Sequence, residues 1–319
     1  MKVRVGVVTI LIAVAACSGD DGDSAEPAER FRVLTYNVAG LPQEISSENP
    51  REHLPLISPL LEPFDVVLTQ EDFDWWRPLL DGLDFVQYHD RLRADVTHAF
   101  RSQMHPGPEA AGLDPATRPT LQVGDGLGLL SRFPIAGEQR IAWTGCFGGF
   151  DTSDRGAGDC LAMKGFSVAT LELATGIEGV VYNLHGEAGA TPEDQRLQAE
   201  NYEQLATFID EHSADRAVIL GGDTNLHTDS DHPDAWDGAD TEIWDDFLRR
   251  TGLEDSCTVL DCAERDAIDK IAYRSGADVT LVAVRHEFLA EDFVGTAGEP
   301  LSDHEPLAVE VSWRAANDS

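Results

Sequence analysis

"RAVILGGDTN", residues 216–225, changes character halfway along. Ala217-Val218-Ile219-Leu220 is an apolar run, two glycines follow, and Asp223, Thr224 and Asn225 close it. A short apolar run bounded by glycine and by acidic or amide residues reads as a buried strand. The same pattern repeats along the chain. Asn37 comes near the end of "FRVLTYNVAG" (31–40), Glu71 ends "DVVLTQE" (65–71), and His185 ends "GVVYNLH" (179–185). Asp303 and His304, held between Pro300 and Pro306, stand just ahead of "LAVEVSW" (307–313). Further strands are expected at 126–135, 165–173 and 279–284. A helix is expected to start at Thr191, where Pro192 suits the first helical position and Thr191 with Asp194 forms a capping box. A second is expected over Asp240–Thr251, burying Ile243, Trp244, Phe247 and Leu248. With no repeat and no internal linker, residues 30–315 read as one α/β domain whose sheets lie between helices.

The chain has 319 residues and a formal charge of −35, from 58 acidic and 23 basic side chains. A surface this acidic repels polyanions, and no Lys/Arg cluster offers a nucleic-acid footprint. Phosphate chemistry here would rely on a bound cation. Lys2 and Arg4, followed by an apolar run too short to span a bilayer, mark residues 1–16 as a signal peptide. "VAAC" (14–17) resembles a bacterial lipoprotein box, which implies cleavage before Cys17 and lipid on its sulfur. Residues 17–29 are small and acidic, as suits a tether. The expected location is therefore the bacterial cell envelope or the exterior. Four cysteines remain, in two local pairs: Cys146 with Cys160 and Cys257 with Cys262. An oxidising compartment favours both disulfides over free or metal-binding thiols.

Each polar strand-end residue alone is the polar residue of an ordinary turn. Together they make a set suited to phosphate esters. Hydrolysis of such an ester needs charge neutralisation, an activated water and a stabilised leaving oxygen. Glu71 offers a hard oxygen to a divalent ion and Asn37 an amide beside it; Mg²⁺ suits one or two carboxylates because it keeps several waters. A histidine with an oriented ring can serve as base near neutral pH. Asn225 can donate to a developing oxyanion without a change of charge.

In order, "TYNVAGLP", "TQED", "NLH", "GGDTN", "AIDKIAY" and "SDHEPL" resemble the endonuclease/exonuclease/phosphatase superfamily, from about Phe31 to Trp313. The resemblance implies a four-layer α/β/β/α sandwich with two central mixed β-sheets. It also implies roles: Glu71 with Asn37 for the metal, Mg²⁺ first and Mn²⁺ or Ca²⁺ as alternatives; His304, after Asp303, as the base; Asp269 orienting it; His185 on the opposite side of the phosphate; Asn225 on a phosphoryl oxygen; Asp223 on the water or the metal. Lys270 departs from the family pattern, which favours an aromatic there, and no carboxylate partner for His185 is apparent. "MKGFSVATLEL" (163–173) resembles the "KGF" strand of bacterial sphingomyelinases. The expectation is an exported, monomeric, metal-dependent phosphodiesterase acting on a phospholipid or sphingomyelin-type head group. The alternatives are a secreted nuclease, a phosphatase for small phosphate esters, and a non-catalytic surface lipoprotein. The Pro- and Gly-rich segment 98–124 is expected to be a lid or a plain insertion. The acidic stretch 227–240 is expected to be solvated rather than to bind Ca²⁺.

Overall fold

The computed structural model describes residues 28–77, 86–228 and 239–316. Strands β1 (Glu29–Asn37), β2 (Val66–Gln70), β3 (Phe100–Arg101) and β4 (Gly128–Ser131) begin the first sheet. The second sheet is built from β5 (Ile135–Ala142), β6 (Gly165–Ala174), β7 (Ile177–His185), β8 (Val218–Asp223), β9 (Glu254–Asp255) and β10 (Asp269–Arg274). β11 (Val279–Phe288) and β12 (Leu307–Ala315) then return to the first. The strand orders are β11-β12-β1-β2-β4-β3 and β5-β6-β7-β8-β10-β9. Both sheets are mixed: β1–β2 and β7–β8 are parallel, their other pairings antiparallel.

Alternation along the strands sets the layers. Phe31 and Val33 of β1, Val66 and Leu68 of β2, Val181 of β7, Ile219 of β8 and Ile271 and Tyr273 of β10 share one core between the sheets. The residues between them face outward. Leu34, Tyr36 and Val67 meet α1 (Pro50–Ile57) and α2 (Val86–Leu92) through Leu54, Ile57, Tyr88 and Leu92. Val180, Tyr182, Val218 and Leu220 meet α3 (Pro192–Ser213) and α4 (Ala239–Thr251) through Tyr202, Leu205, Ile209 and Phe247. The result is the four-layer α/β/β/α sandwich. A short helix, α5 (Ser256–Leu260), packs on β10 and β11.

Thr191 caps α3 with the reciprocal bonds of the expected box: its hydroxyl accepts from Asp194 N, and its own N–H donates to Asp194 Oδ2. Residues 126–135 are not one strand. β4 ends at Ser131, whose hydroxyl bonds the backbone of Phe133, and Pro134 lacks an N–H to continue a ladder. The chain crosses there from the first sheet to β5, an edge strand whose mixed exposure hides it in the sequence. Segment 98–124 is irregular apart from β3 and one turn of 3₁₀ helix at Pro108–Ala111. Of the acidic stretch 227–240, residues 229–238 lie outside the described residues, as do Cys17 and the whole of 1–27. Among the described residues no helix is long and apolar enough to cross a membrane. Disulfides join Cys146 to Cys160 and Cys257 to Cys262.

Candidate active site

The inward stripe of each central strand ends in a polar residue at the same end of the sandwich. On β1 the stripe Phe31, Val33, Thr35 ends at Asn37, and on β2 Val66 and Leu68 lead to Gln70. On β7 and β8 it ends at His185 and Asp223, which are register partners, and Asp269 of β10 pairs with Asp223 from the other side. Beneath this mouth, Gln70 Nε2 donates to Asn183 Oδ1 across the sheets (2.7 Å), and Asn183 Nδ2 donates to the carbonyls of Thr69 and Gly128 (3.0 Å each).

Glu71 follows Gln70, so plain alternation would turn it away from the site. It instead has φ 55°, in the left-handed region that non-glycine residues rarely adopt. Two glycines leave room for the kink. A Cβ on Gly40 would lie 2.3 Å from Glu71 O, and one on Gly126 would lie 2.9 Å from Glu71 Cα. The next residue, the fully buried Asp72, is fixed by Arg93 (2.5 Å), His89 (2.9 Å) and Thr69 (3.2 Å). Glu71 Oε1 thereby reaches the Asn37 amino group at 3.3 Å.

Asp223 Oδ2 is the hub. It lies 3.0 Å from Asn37 Nδ2, 3.3 Å from His185 Nε2 and 3.6 Å from His304 Nε2. It is thus the carboxylate partner of His185 that the sequence left unidentified. His304 Nδ1 donates to Asp269 Oδ2 at 2.7 Å, which fixes the ring with Nε2 facing the centre. Ser302, not singled out in the sequence, ties this turn to β1: its hydroxyl donates to Asn37 O (2.7 Å) and accepts from His304 N (3.3 Å). Asn225 sits at the rim with φ 52°, its N–H on Asp223 Oδ1 (3.1 Å) and its amide on Gly186 O (3.2 Å). Asp303 is exposed, its carboxylate 3.3 Å from Ser302 Oγ and outside the central cluster. Lys270 is buried, donating to the carbonyls of Ala267 and Arg265.

The two histidines are charged differently. Burial, reinforced by the nearby Lys164 cation, pushes His185 down to about 3, so it is neutral. Burial alone would lower His304 as well, but Asp269 and Asp223 outweigh it and raise the ring to about 10. Burial raises the carboxyls of Glu71 and, to about 6, of Asp269.

Lys164 is a further site residue that sequence reasoning missed. Its ammonium pairs with Asp159 Oδ1 (2.5 Å), donates to Gly186 O (3.2 Å) and supplies positive charge to Glu71, Asp223 and His185. The "KGF" likeness was the available signal. Asp159 belongs to the Cys146–Cys160 loop, and Glu187 holds the same loop through Phe147 N (2.6 Å).

These residues fit a hard divalent cation. The Asn37 amino group sits where the Glu71 and Asp223 oxygens converge, so a donor already marks the point at which two carboxylates face each other. Such an oxygen set, able to leave room for waters, is the kind Mg²⁺ uses. Asp223, Asp269 and His304 also bring ligand atoms within 4.8 Å of one another. Their Nδ1–carboxylate contact, however, occupies the facing atoms in a hydrogen bond and suits proton transfer better.

Residues 34–304 match the Endonuclease/Exonuclease/phosphatase family. A sphingomyelinase of Mycobacterium bovis is 33% identical over 98% of this chain, which spans 57% of that relative's length. The fold is that of sphingomyelinase C from Streptomyces griseocarneus (TM-score 0.58, 20% identity, 92% of this chain and 100% of that one). It is also that of Staphylococcus aureus beta toxin with bound magnesium ions (TM-score 0.59, 16% identity, 88% and 99%).

Proposed function

The chain belongs to the Endonuclease/Exonuclease/phosphatase family, and on that premise we propose that it is an exported, Mg²⁺-dependent phosphodiesterase that releases the head group of sphingomyelin or a related phospholipid. The observation that carries the reading is the Asp223 hub. It sets a neutral histidine and a proton-loaded one about a single carboxylate, next to Glu71 and Asn37.

In this mechanism Glu71, with Asp223 beside it, would hold the metal, and Asn37 would add its amide oxygen only after turning the amide over, since Oδ1 here accepts from Ala39 N and Nδ2 faces the two carboxylates. A divalent cation held there would supply Lewis-acid polarisation of a phosphoryl oxygen, and its charge would oppose the Asp269 and Asp223 field that raises His304. His304 Nε2 takes the proton of the attacking water. Asp269 holds the ring's tautomer and stabilises the imidazolium that forms, since its carboxylate accepts from Nδ1–H. His185, kept neutral and facing Asp223 through Nε2 (3.3 Å), stands on the β7 side, where turning that N–H toward the leaving oxygen would give it a hydrogen bond, the proton itself coming from solvent. The second amide hydrogen of Asn225 and the Lys164 ammonium add positive potential at the Gly186 edge.

The lipid substrate is supported by the likeness to the mycobacterial sphingomyelinase and by a formal charge of −35, which disfavours a nucleic-acid backbone. Lipidation of Cys17 would keep the enzyme at a membrane. The test is phosphocholine release from sphingomyelin vesicles with Mg²⁺, with chelator, and beside plasmid DNA. Mg²⁺-dependent release with intact DNA is expected. DNA cleavage without lipid turnover would make the protein a nuclease and reject the substrate assignment.

A further inference from the structure

The second disulfide lies against a histidine. Ligand atoms of Cys257, Cys262 and His286 are all within 4.8 Å of one another. Ser256 Oγ donates to Ile271 O (2.7 Å), which uses its only hydrogen. The contact of Ser256 Oγ with His286 Nδ1 (2.9 Å) must then be donated by Nδ1–H. That fixes the tautomer: Nε2 carries the lone pair. Nε2 is buried and has no hydrogen-bond partner. A ring nitrogen held this way by a hydrogen bond on its opposite side is how metal-binding histidines are oriented.

Both cysteines are held by contacts that do not need the sulfur–sulfur bond. Asp255 caps α5, accepting from Cys257 N (2.7 Å) and Thr258 N (3.1 Å), and is itself fixed by Trp244 Nε1 (2.9 Å). Cys262 N donates to Cys257 O (3.0 Å) across a turn in which Asp261 takes the left-handed conformation. The Cα atoms are 4.9 Å apart. Four residues separate the cysteines, within the ligand spacing of small zinc sites. Cys257 is buried and Cys262 half-exposed, so a reductant can reach the pair from the Cys262 side.

We infer that Cys257, Cys262 and His286 form a redox-gated site for a thiophilic divalent cation such as Zn²⁺, closed by the disulfide when oxidised and opened by a dithiol reductant. The reductant's first thiolate attacks Cys262 Sγ and displaces Cys257 as a thiolate. Its second displaces Cys262 and leaves as a cyclic disulfide. Two electrons pass to the cysteines, and two protons reside on their thiols at neutral pH. Those protons are released when the two sulfurs bind the cation beside His286 Nε2, and a water completes four-coordination. The site is separate from the oxygen ligands of the active centre and would fasten α5 to β11 in place of the sulfur–sulfur bond.

The test is titration of the whole protein with Co²⁺ after reduction by dithiothreitol and anaerobic desalting, followed by near-ultraviolet thiolate-to-cobalt absorption. This band does not report oxygen-only sites. One equivalent per chain is expected after reduction, none in the oxidised protein, with displacement by Zn²⁺. The band should be lost in Cys257→Ser, and affinity should fall at least tenfold in His286→Ala. Ser256→Ala keeps all three ligands and should weaken binding by about tenfold through the ring's orientation alone. The inference is overturned if reduced protein shows no band, if Cys257→Ser or His286→Ala leaves it unchanged, or if it disappears only in Cys146→Ser.

Discussion

His304 and His185 both face Asp223, and their surroundings give them opposite proton loads. Under the proposed mechanism His304→Ala should lower turnover by about 10²–10⁴-fold, the range for a lost general base. A stopped assay with saturating Mg²⁺ checks this; unchanged turnover would sink the role. The same charge pattern has a stability consequence. The folded value of His304, about 10, lies above its ordinary value of 6.5. Its contribution is therefore fully present below pH 6.5 and is lost as pH rises through 10. In metal-free protein the thermal midpoint of the wild type, relative to Asp269→Asn, should fall across that window. A difference that grew with pH would contradict the assignment. Asp303, exposed and outside the cluster, is not expected to match His304 in effect.

The element that sets the site is the bend after β2. A strand in regular alternation would leave Glu71 on the helix side, so the left-handed residue is what turns the carboxylate toward Asn37. Gly126 has φ 67° itself and would drive a methyl into the Glu71 backbone. Gly126→Ala should thus cost about 1–3 kcal/mol in backbone strain and raise the Mg²⁺ needed for half-maximal activity. A calorimetric scan with a metal titration separates the two effects; normal metal dependence would show that the bend does not set Glu71. The capping box of α3 is different in kind. Thr191, Pro192 and Asp194 are adjacent in sequence, and their bonding was readable without a fold.

At the scale of the whole molecule, two sheets must meet in one register for the site to exist, and the buried Gln70–Asn183 bridge fixes it. Asn183 is 1% exposed and satisfies two carbonyls as well as Gln70. Asn183→Leu would keep the volume but strand those groups, at about 1–3 kcal/mol for each one left unpaired. Denaturant unfolding should show a loss of that order, with a parallel loss of activity as the sheets shift. Stability within about 0.5 kcal/mol of wild type would mean that water replaces the amide. The Cys146–Cys160 bridge, by contrast, fastens a loop to Lys164 through Asp159.

Period-two alternation and polar strand ends are local properties, so the central strands, the long helices and the polar strand ends at Asn37, Glu71, His185, Asp223, Asn225 and His304 were readable in the sequence alone, while the four-layer sandwich and the place of Asp269 followed from the family resemblance. Edge strand β5 and the break at Ser131–Pro134 escaped it because edge strands bury little and carry no clear stripe. The partner of His185 depended on the parallel pairing of β7 with β8, which sets Asp223 beside it from 38 residues away. Ser302 and the tautomer of His286 were likewise decided by tertiary structure alone, as was the pairing of Lys164 with Asp159, although the "KGF" likeness marked that lysine in the sequence. Charge compensation, hydrogen-bond direction and burial depend on which atoms meet in space, and no local pattern in the chain encodes that meeting.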